Sequence, residues 1–369
     1  MLLSQSIVSA QPGLKDAFKG CFLVGAALNE SQFSGRNSKL TTLITNQFNS
    51  ITPENVMKWD SIHPKPGKYD FRQADRYVEF GEKHGMFIVG HNLVWHSQTP
   101  AWVFQDKSGK PLTRDALLER MSNHIFTVVG RYRGRIGGWD VVNEALNDDG
   151  TLRESPWMKI IGEDYLLKAF EFARQADPQA ELYYNDFSLE NEAKGKGAVN
   201  LIRKLLAGGA KISAVGMQGH YKLDWPSAGH VDDTITAFSN LGIKVAITEL
   251  DLDVLPSPTK RRSADVSMNF AASAELNPYT NGLPDDVQQK VTRRYVELFQ
   301  VFLKHRDAIN RVTFWGVRDG DSWLNNWPIH GRKAYPLLFD SDGKPNSACQ
   351  AVMELREALS SNRIPTPNN

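Results

Sequence analysis

GWDVVNEAL, residues 138–146, decides how this chain is read. Trp139, Val141 and Val142 belong to a short, nearly continuous apolar run, which stops on Asn143 and Glu144. Such a run suits a strand buried on both faces, as in a parallel sheet, rather than the alternating pattern of a half-exposed one. A carboxylate set directly after it is costly to bury without a partner or a use. The same pattern recurs in KVAITELD, residues 244–251, where Glu249 follows Val245-Ala246-Ile247-Thr248. Taken singly, each glutamate has about even odds of being a structural ion pair. Two of them ending buried runs point to a site.

Working outward, comparable apolar runs occupy 22–26, 48–51, 87–90, 182–184, 214–217 and 311–314, giving eight candidate strands with 138–142 and 244–248. Helical patterns lie between them. Thr113 is placed to cap a helix carrying Leu117, Met121, Ile125 and Val128 at helical spacing. Val199, Ile202, Leu205 and Leu206 form a second stripe that ends at Gly208-Gly209, and Val287, Val291, Tyr295, Leu298 and Phe302 a third. Eight strands, each with room for a helix behind it, predict an α/β fold: a (β/α)8 TIM barrel in a single domain. The length of 369 residues fits a barrel with loop insertions. A doubly wound dinucleotide fold competes, but no G-x-G-x-x-G follows the first strand, and Gly195 and Gly197 in KGKGA read as loop or helix-start glycines. The domain is expected to span 16–360, with residues 1–15 a flexible N-terminus or signal remnant and 361–369 a disordered tail. The polar stretch 256–286 reads as a long loop with some local helix, and its Lys260-Arg261-Arg262 as a solvated cluster.

Hydrophobic residues make up 41% and charged residues 23%, a soluble globular profile. A formal net charge of +1 argues against nucleic acid or an anionic membrane as partner. No apolar run approaches the roughly 20 residues that span a bilayer. Cys21 and Cys349 make at most one disulfide, and no C-x-x-C suggests a metal. The two are expected to be unbonded, because Cys21 precedes the first strand at the barrel's bottom while Cys349 starts a helix at its top. Val8-Ser9-Ala10 resembles the end of a secretory signal, although no basic segment precedes it.

In a barrel of this kind the C-terminal strand ends build the active site. Strand 2 ends in Glu54, Asn55 and Lys58; strand 3 in His91, Trp95 and His96; strand 4 in Asn143 and Glu144. Strand 6 ends in Gln218 and His220, strand 7 in Glu249 and Asp251, and strand 8 in Trp315. Two carboxyl groups among amides, imidazoles and indoles suit glycosidic cleavage, in which one acid protonates the departing oxygen while a carboxylate attacks the anomeric carbon or activates water. Trp95, Trp315 and Trp323 follow strand ends and are candidates for sugar stacking; Trp59, Trp139 and Trp157 read as packing.

These residues resemble glycoside hydrolase family 10, the xylanase family. The resemblance rests on TPENVMKW, HNLVWHSQTPAW, WDVVNEA, YYND, GMQGHY, ITELD and FWG…SWL, in the family's order and covering nearly the whole chain. It implies a retaining endo-1,4-β-xylanase with Glu144 as general acid/base and Glu249 as nucleophile. Asn143 resembles the amide that binds the 2-hydroxyl at the cleavage point, and His220 with Asp251 the pair that supports the nucleophile. Glu54, Asn55, Lys58, His91, Trp95 and Gln218 match glycone-side sugar contacts, with Gln98 a further one, and Trp315 and Trp323 match aromatic walls. The family commonly carries tyrosine and asparagine after YND. Here Phe187-Ser188 stands there, able to stack a leaving-group sugar without donating a hydroxyl.

The expected partners are xylan and xylo-oligosaccharides, acted on by a monomer, with no cofactor and no metal. A cellulase- or mannanase-like barrel and a non-catalytic sugar-binding barrel are the alternatives. Export to the periplasm or outside is expected, since a xylan polymer cannot cross a membrane; a cytoplasmic enzyme acting on imported oligosaccharides is the other possibility.

Overall fold

The computed structural model describes residues 12–259 and 265–360. The polypeptide alternates strand and helix throughout: β1 (Leu23–Leu28), β2 (Ser50–Pro53), β3 (Phe87–Val94), β4 (Gly138–Asn143), β5 (Glu181–Asp186), β6 (Ala214–Met217), β7 (His220–Lys222), β8 (Lys244–Asp253) and β9 (Ile309–Phe314). All pairings are parallel, in the order β6-β5-β4-β3-β2-β1-β9-β8, and β6 pairs with β8 to close the ring. The eight long strands therefore form the barrel the sequence implies. Helices such as Arg72–Lys83, Arg114–Arg131, Glu192–Ala207 and Asp285–Lys304 lie between strands. Thr113 accepts from the Ala116 amide to cap its helix, and Gly209 (φ 90°) donates to the Leu206 carbonyl as Glu192–Ala207 ends.

Three details differ from the sequence reading. The first helix, Leu14–Ala17, buries Leu14 completely in the main core, so the ordered unit begins before residue 16. Gly195 and Gly197 sit inside the helix Glu192–Ala207; a Cβ on Gly197 would collide with the backbone of Gly150, so these glycines bring the helix against the loop after β4. His220 does not end β6. Gly219 (φ 82°) breaks the strand, and His220 opens β7, a short edge segment in which it pairs with Asp251 of β8. The stretch 256–286 is, as expected, a loop with local helix: its described residues include the 3-10 turn Ala274–Leu276 and the start of the helix Asp285–Lys304. Lys260, Arg261, Arg262 and the Val8-Ser9-Ala10 motif lie outside the described residues.

Trp59, Trp139 and Trp157 are buried, as expected of packing residues. Both cysteines are free. Among the described residues, no helix is long and apolar enough to cross a membrane.

Candidate active site

The strand-end residues converge on one open cleft at the C-terminal face of the barrel. Its walls include Glu54, Asn55 and Lys58 from after β2; His91, Trp95 and Gln98 from β3 and its loop; Asn143 and Glu144 from β4; Gln218, His220 and Glu249; and Trp315 and Trp323. Asp251 stands behind His220 and completes the set. Where β4 and β8 reach the cleft their ladders shift register, between Asp140 and Val142 and between Ile247 and Leu250. Such irregularities re-aim side chains near sites. Glu144 itself has φ 55°, a left-handed backbone that a residue with a Cβ adopts at a cost of about 1–2 kcal/mol.

The two glutamates are buried in different electrostatic surroundings. Glu144 accepts from Trp95 Nε1 at 2.8 Å and from Gln218 Nε2 at 3.0 Å. Burial first, then the charge of Asp186, push its carboxyl up to about 7 against those two hydrogen bonds. Glu249 adds a smaller push, so the main charge acting on Glu144 is Asp186 rather than the neighbour the sequence suggests. Burial would raise Glu249 too, but the hydrogen bond and charge of His220 outweigh it and hold that carboxyl below its usual range. His220 Nε2 lies 3.1 Å from Glu249 Oε2 and Nδ1 3.0 Å from Asp251 Oδ1. Although burial opposes it, the two carboxylates raise the imidazole to about 10, so it is a cation that donates to both at neutral pH. Trp323 Nε1 donates to the other Asp251 oxygen at 2.7 Å and fixes the chain of contacts from behind.

On the β2 side, Lys58 Nζ donates to Asn55 Oδ1 at 3.0 Å and Gln98 Oε1 at 2.8 Å, and stands 5.2 Å from the Trp95 ring centroid. Trp157 Nε1 bonds the Trp95 carbonyl, so a packing tryptophan positions a cleft tryptophan. His91 Nδ1 pairs with Asp140 at 2.9 Å. His96 does not face the cleft; it lines a small hollow behind Glu144 with Arg153 and Tyr165. Among the described residues no group of three or more His, Cys, Asp or Glu is arranged to hold a metal.

Four residues at or behind the cleft escaped the sequence reading. Asn185 donates to Glu249 Oε1 at 2.8 Å and Asn143 Oδ1 at 2.9 Å, tying β8 to β4. Asp186 pairs with the buried Lys194 at 2.8 Å and accepts from Tyr184 at 2.6 Å. Both end β5 just as Asn143 and Glu144 end β4, so YYND held the same signal. Trp327, stacked on Trp323 at 4.4 Å, and Val266 line the cleft from loops, where no periodicity announces them. One expectation fails. Phe187 is only 1% exposed, with the Lys194 ammonium 3.4 Å from its ring centroid, and so offers no face to a leaving-group sugar.

A parallel barrel aiming two oppositely poised carboxyl groups into one aromatic-walled cleft defines a glycoside hydrolase. The chain belongs to glycosyl hydrolase family 10, whose model matches residues 13–355. It is 46% identical over 352 residues to endo-1,4-beta-xylanase A of Xylanibacter ruminicola, covering 95% of each chain. It is 40% identical to the beta-1,4-xylanase of Dictyoglomus thermophilum, covering 93% of this chain and 91% of the other. A GH10 endoxylanase retrieved from sugarcane soil metagenome superposes with a TM-score of 0.91 at 46% identity, covering 93% of this chain and all (100%) of that one. An intracellular xylanase mutant of Thermoanaerobacterium saccharolyticum, in complex with xylotriose, gives a TM-score of 0.80 at 34% identity over 92% of this chain and 98% of its own.

Proposed function

We propose that this chain hydrolyses internal β-1,4-xylosidic bonds of xylan and xylo-oligosaccharides by a retaining double displacement. The observation that carries this reading is the opposite poise of Glu144 and Glu249 across one cleft. Glu249, ionised and oriented by His220 and Asn185, attacks the anomeric carbon, while Glu144, protonated in the free enzyme, gives its proton to the departing oxygen. Once Glu249 is esterified its charge is gone, so Glu144 loses part of what kept it protonated. It then accepts a proton from the water that frees the sugar. Asn143 binds the 2-hydroxyl, where the hydrogen bond strengthens as the oxocarbenium character grows. Glu54, Asn55, Lys58, His91 and Gln98 hold the glycone hydroxyls, and Trp315 and Trp323 wall the ring.

Xylose rather than glucose is favoured by the names of the relatives, and Trp323 and the β2 trio line the cleft where they are expected to exclude a C6 group. Export remains the expected setting for a polymer substrate, with imported oligosaccharides in the cytoplasm the alternative. The test is chromatography of products from xylan and from carboxymethyl cellulose, with NMR of the first anomer released. Short xylo-oligosaccharides of β configuration are expected from xylan alone. Equal cleavage of both polymers, or an α product, would refute the reading.

A further inference from the structure

We infer that Val266 is a specificity-determining residue for the leaving-group sugar, held over the cleft by the Asp265–Arg153 ion pair; this rests on the activity proposed above. Val266 is 38% exposed, and among the described residues only Phe126 joins it as an exposed large hydrophobic side chain. Unlike Phe126, it lines the cleft beside Glu144 and Glu249. A valine facing a cleft of polar groups offers an apolar surface against which the apolar face of a bound pyranose ring can pack.

The segment carrying it is tied down on both sides. Asp265 Oδ2 lies 3.6 Å from Arg153 Nη1. Arg153 in turn donates through Nε to the Glu144 carbonyl at 3.2 Å and through Nη2 to the Leu146 carbonyl at 3.4 Å. Asp265 also accepts from the Ser267 amide at 3.0 Å, which fixes the turn around Val266. Further along, the Phe270 amide donates to the Pro328 carbonyl at 2.9 Å, next to Trp327. Residues 265–270 thus cross from the loop of the acid/base to the loop after β9, as a strap over the cleft.

The strap stands on the leaving-group side. It is anchored through Arg153 to the loop that follows Glu144, the group that meets the departing oxygen in the proposed mechanism. Met268 lines the adjoining hollow with Ser188, the residue after Phe187. That side has no stacking ring from β5, because Phe187 is buried. Val266 supplies an apolar surface there from the opposite wall.

The test compares Val266→Ser and Asp265→Ala with the unaltered chain on xylotetraose and on an aryl β-xylobioside, whose leaving group is not a sugar. The ratio of kcat/KM for xylotetraose to that for the aryl xylobioside is expected to fall roughly fivefold in Val266→Ser, the scale of one partly buried aliphatic contact. A smaller fall is expected in Asp265→Ala, which frees the strap while keeping the valine. An unchanged ratio, or equal losses on both substrates, would overturn the assignment. Inactivity of the unaltered chain on both xylosides would sink the underlying activity instead.

Discussion

Two buried glutamates with opposed environments make the sharpest expectations. Glu249→Ala should lower kcat on every substrate by a factor on the order of 10^4–10^6, since no glycosyl ester forms. Azide should then restore part of the turnover with an inverted product. Glu144→Ala should spare the first step for aryl glycosides with good leaving groups and stall the second, giving a burst of aryl alcohol; azide should here give a product of retained configuration. Opposite azide outcomes would exchange the two roles. The pH profile is a second handle on the same residue. In the proposed mechanism Glu144 must be protonated to act, so activity is expected to be lost as pH rises through about 7, the value at which burial and Asp186 place it. Asp186→Asn removes a negative charge and leaves the Lys194 ammonium in place. Both changes favour the carboxylate, so the alkaline limb of kcat/KM should move to lower pH. Trp95→Phe removes a hydrogen bond that stabilises the carboxylate, so the limb should move to higher pH. A profile read on kcat/KM reports the free enzyme, where these contacts exist. Shifts of the same sign in both variants would refute the account.

At the scale of elements, the strands place the chemistry and one short strand refines it. β7 exists because Gly219 turns the chain with φ 82°, and the turn sets His220 opposite Asp251 in the ladder. A Cβ on Gly219 would lie 3.0 Å from Ile247 Cγ2, in a backbone region that costs an L-residue about 1–2 kcal/mol. Gly219→Ala is therefore expected to lower stability by about that amount. It should lower kcat more than it raises KM, because the displaced His220 holds Glu249, the proposed nucleophile. Thermal unfolding and steady-state kinetics on an aryl xylobioside check both; unchanged kcat would separate β7 from the chemistry. This strand marks where the sequence stops being readable. Long buried strands announce themselves through apolar continuity, and so the barrel, both glutamates and most cleft residues could be read from one sequence. His220 was assigned to the site but to the wrong element, because a three-residue strand is too short to carry a period. Asn185 and Asp186 ended a readable strand, yet Asn185 works through a bond across to Glu249 of β8 and Asp186 through its charge on Glu144, relations that local sequence does not display. Val266 and Trp327 reach the cleft through loop paths, which no local pattern encodes. Phe187 looked like a stacking ring from its place after YND, but its face was already taken by Lys194.

For the molecule as a whole, histidines set opposite limits on stability. His220, raised to about 10, contributes stability that is fully present below its unfolded value and is lost as pH rises through about 10. His63 and His124 do the reverse. Their Nδ1 atoms meet at 3.3 Å in a buried stack, with the His124 ring centroid 3.6 Å from that of Trp59 and the His63 centroid 3.8 Å from that of Tyr69. One ring donates and the other accepts, an arrangement that requires at least one neutral imidazole. Neither Nε2 has a hydrogen-bond partner among the described residues. Burial, then Arg120, lowers His63 to about 4, and burial holds His124 well below its ordinary value. Both groups therefore contribute stability that is present above the unfolded histidine value of 6.5 and is lost as pH falls from there through the folded values. Each extra proton bound by the unfolded chain tilts stability by about 1.4 kcal/mol per pH unit. His96, also lowered to about 4, adds to the same slope. Urea unfolding of the unaltered chain and of a His63 variant between pH 6 and pH 4.5 isolates the His63 contribution as a difference, because buried carboxyls such as Glu144 titrate alike in both. His63→Asn should reduce the slope of stability against pH by about one proton's worth there, because a side chain that cannot charge replaces one that must. The variant is expected to be less stable at pH 7, where the stack is intact, and to lose less on acidification. A slope equal to that of the unaltered chain would show that the pair already carries its protons when folded.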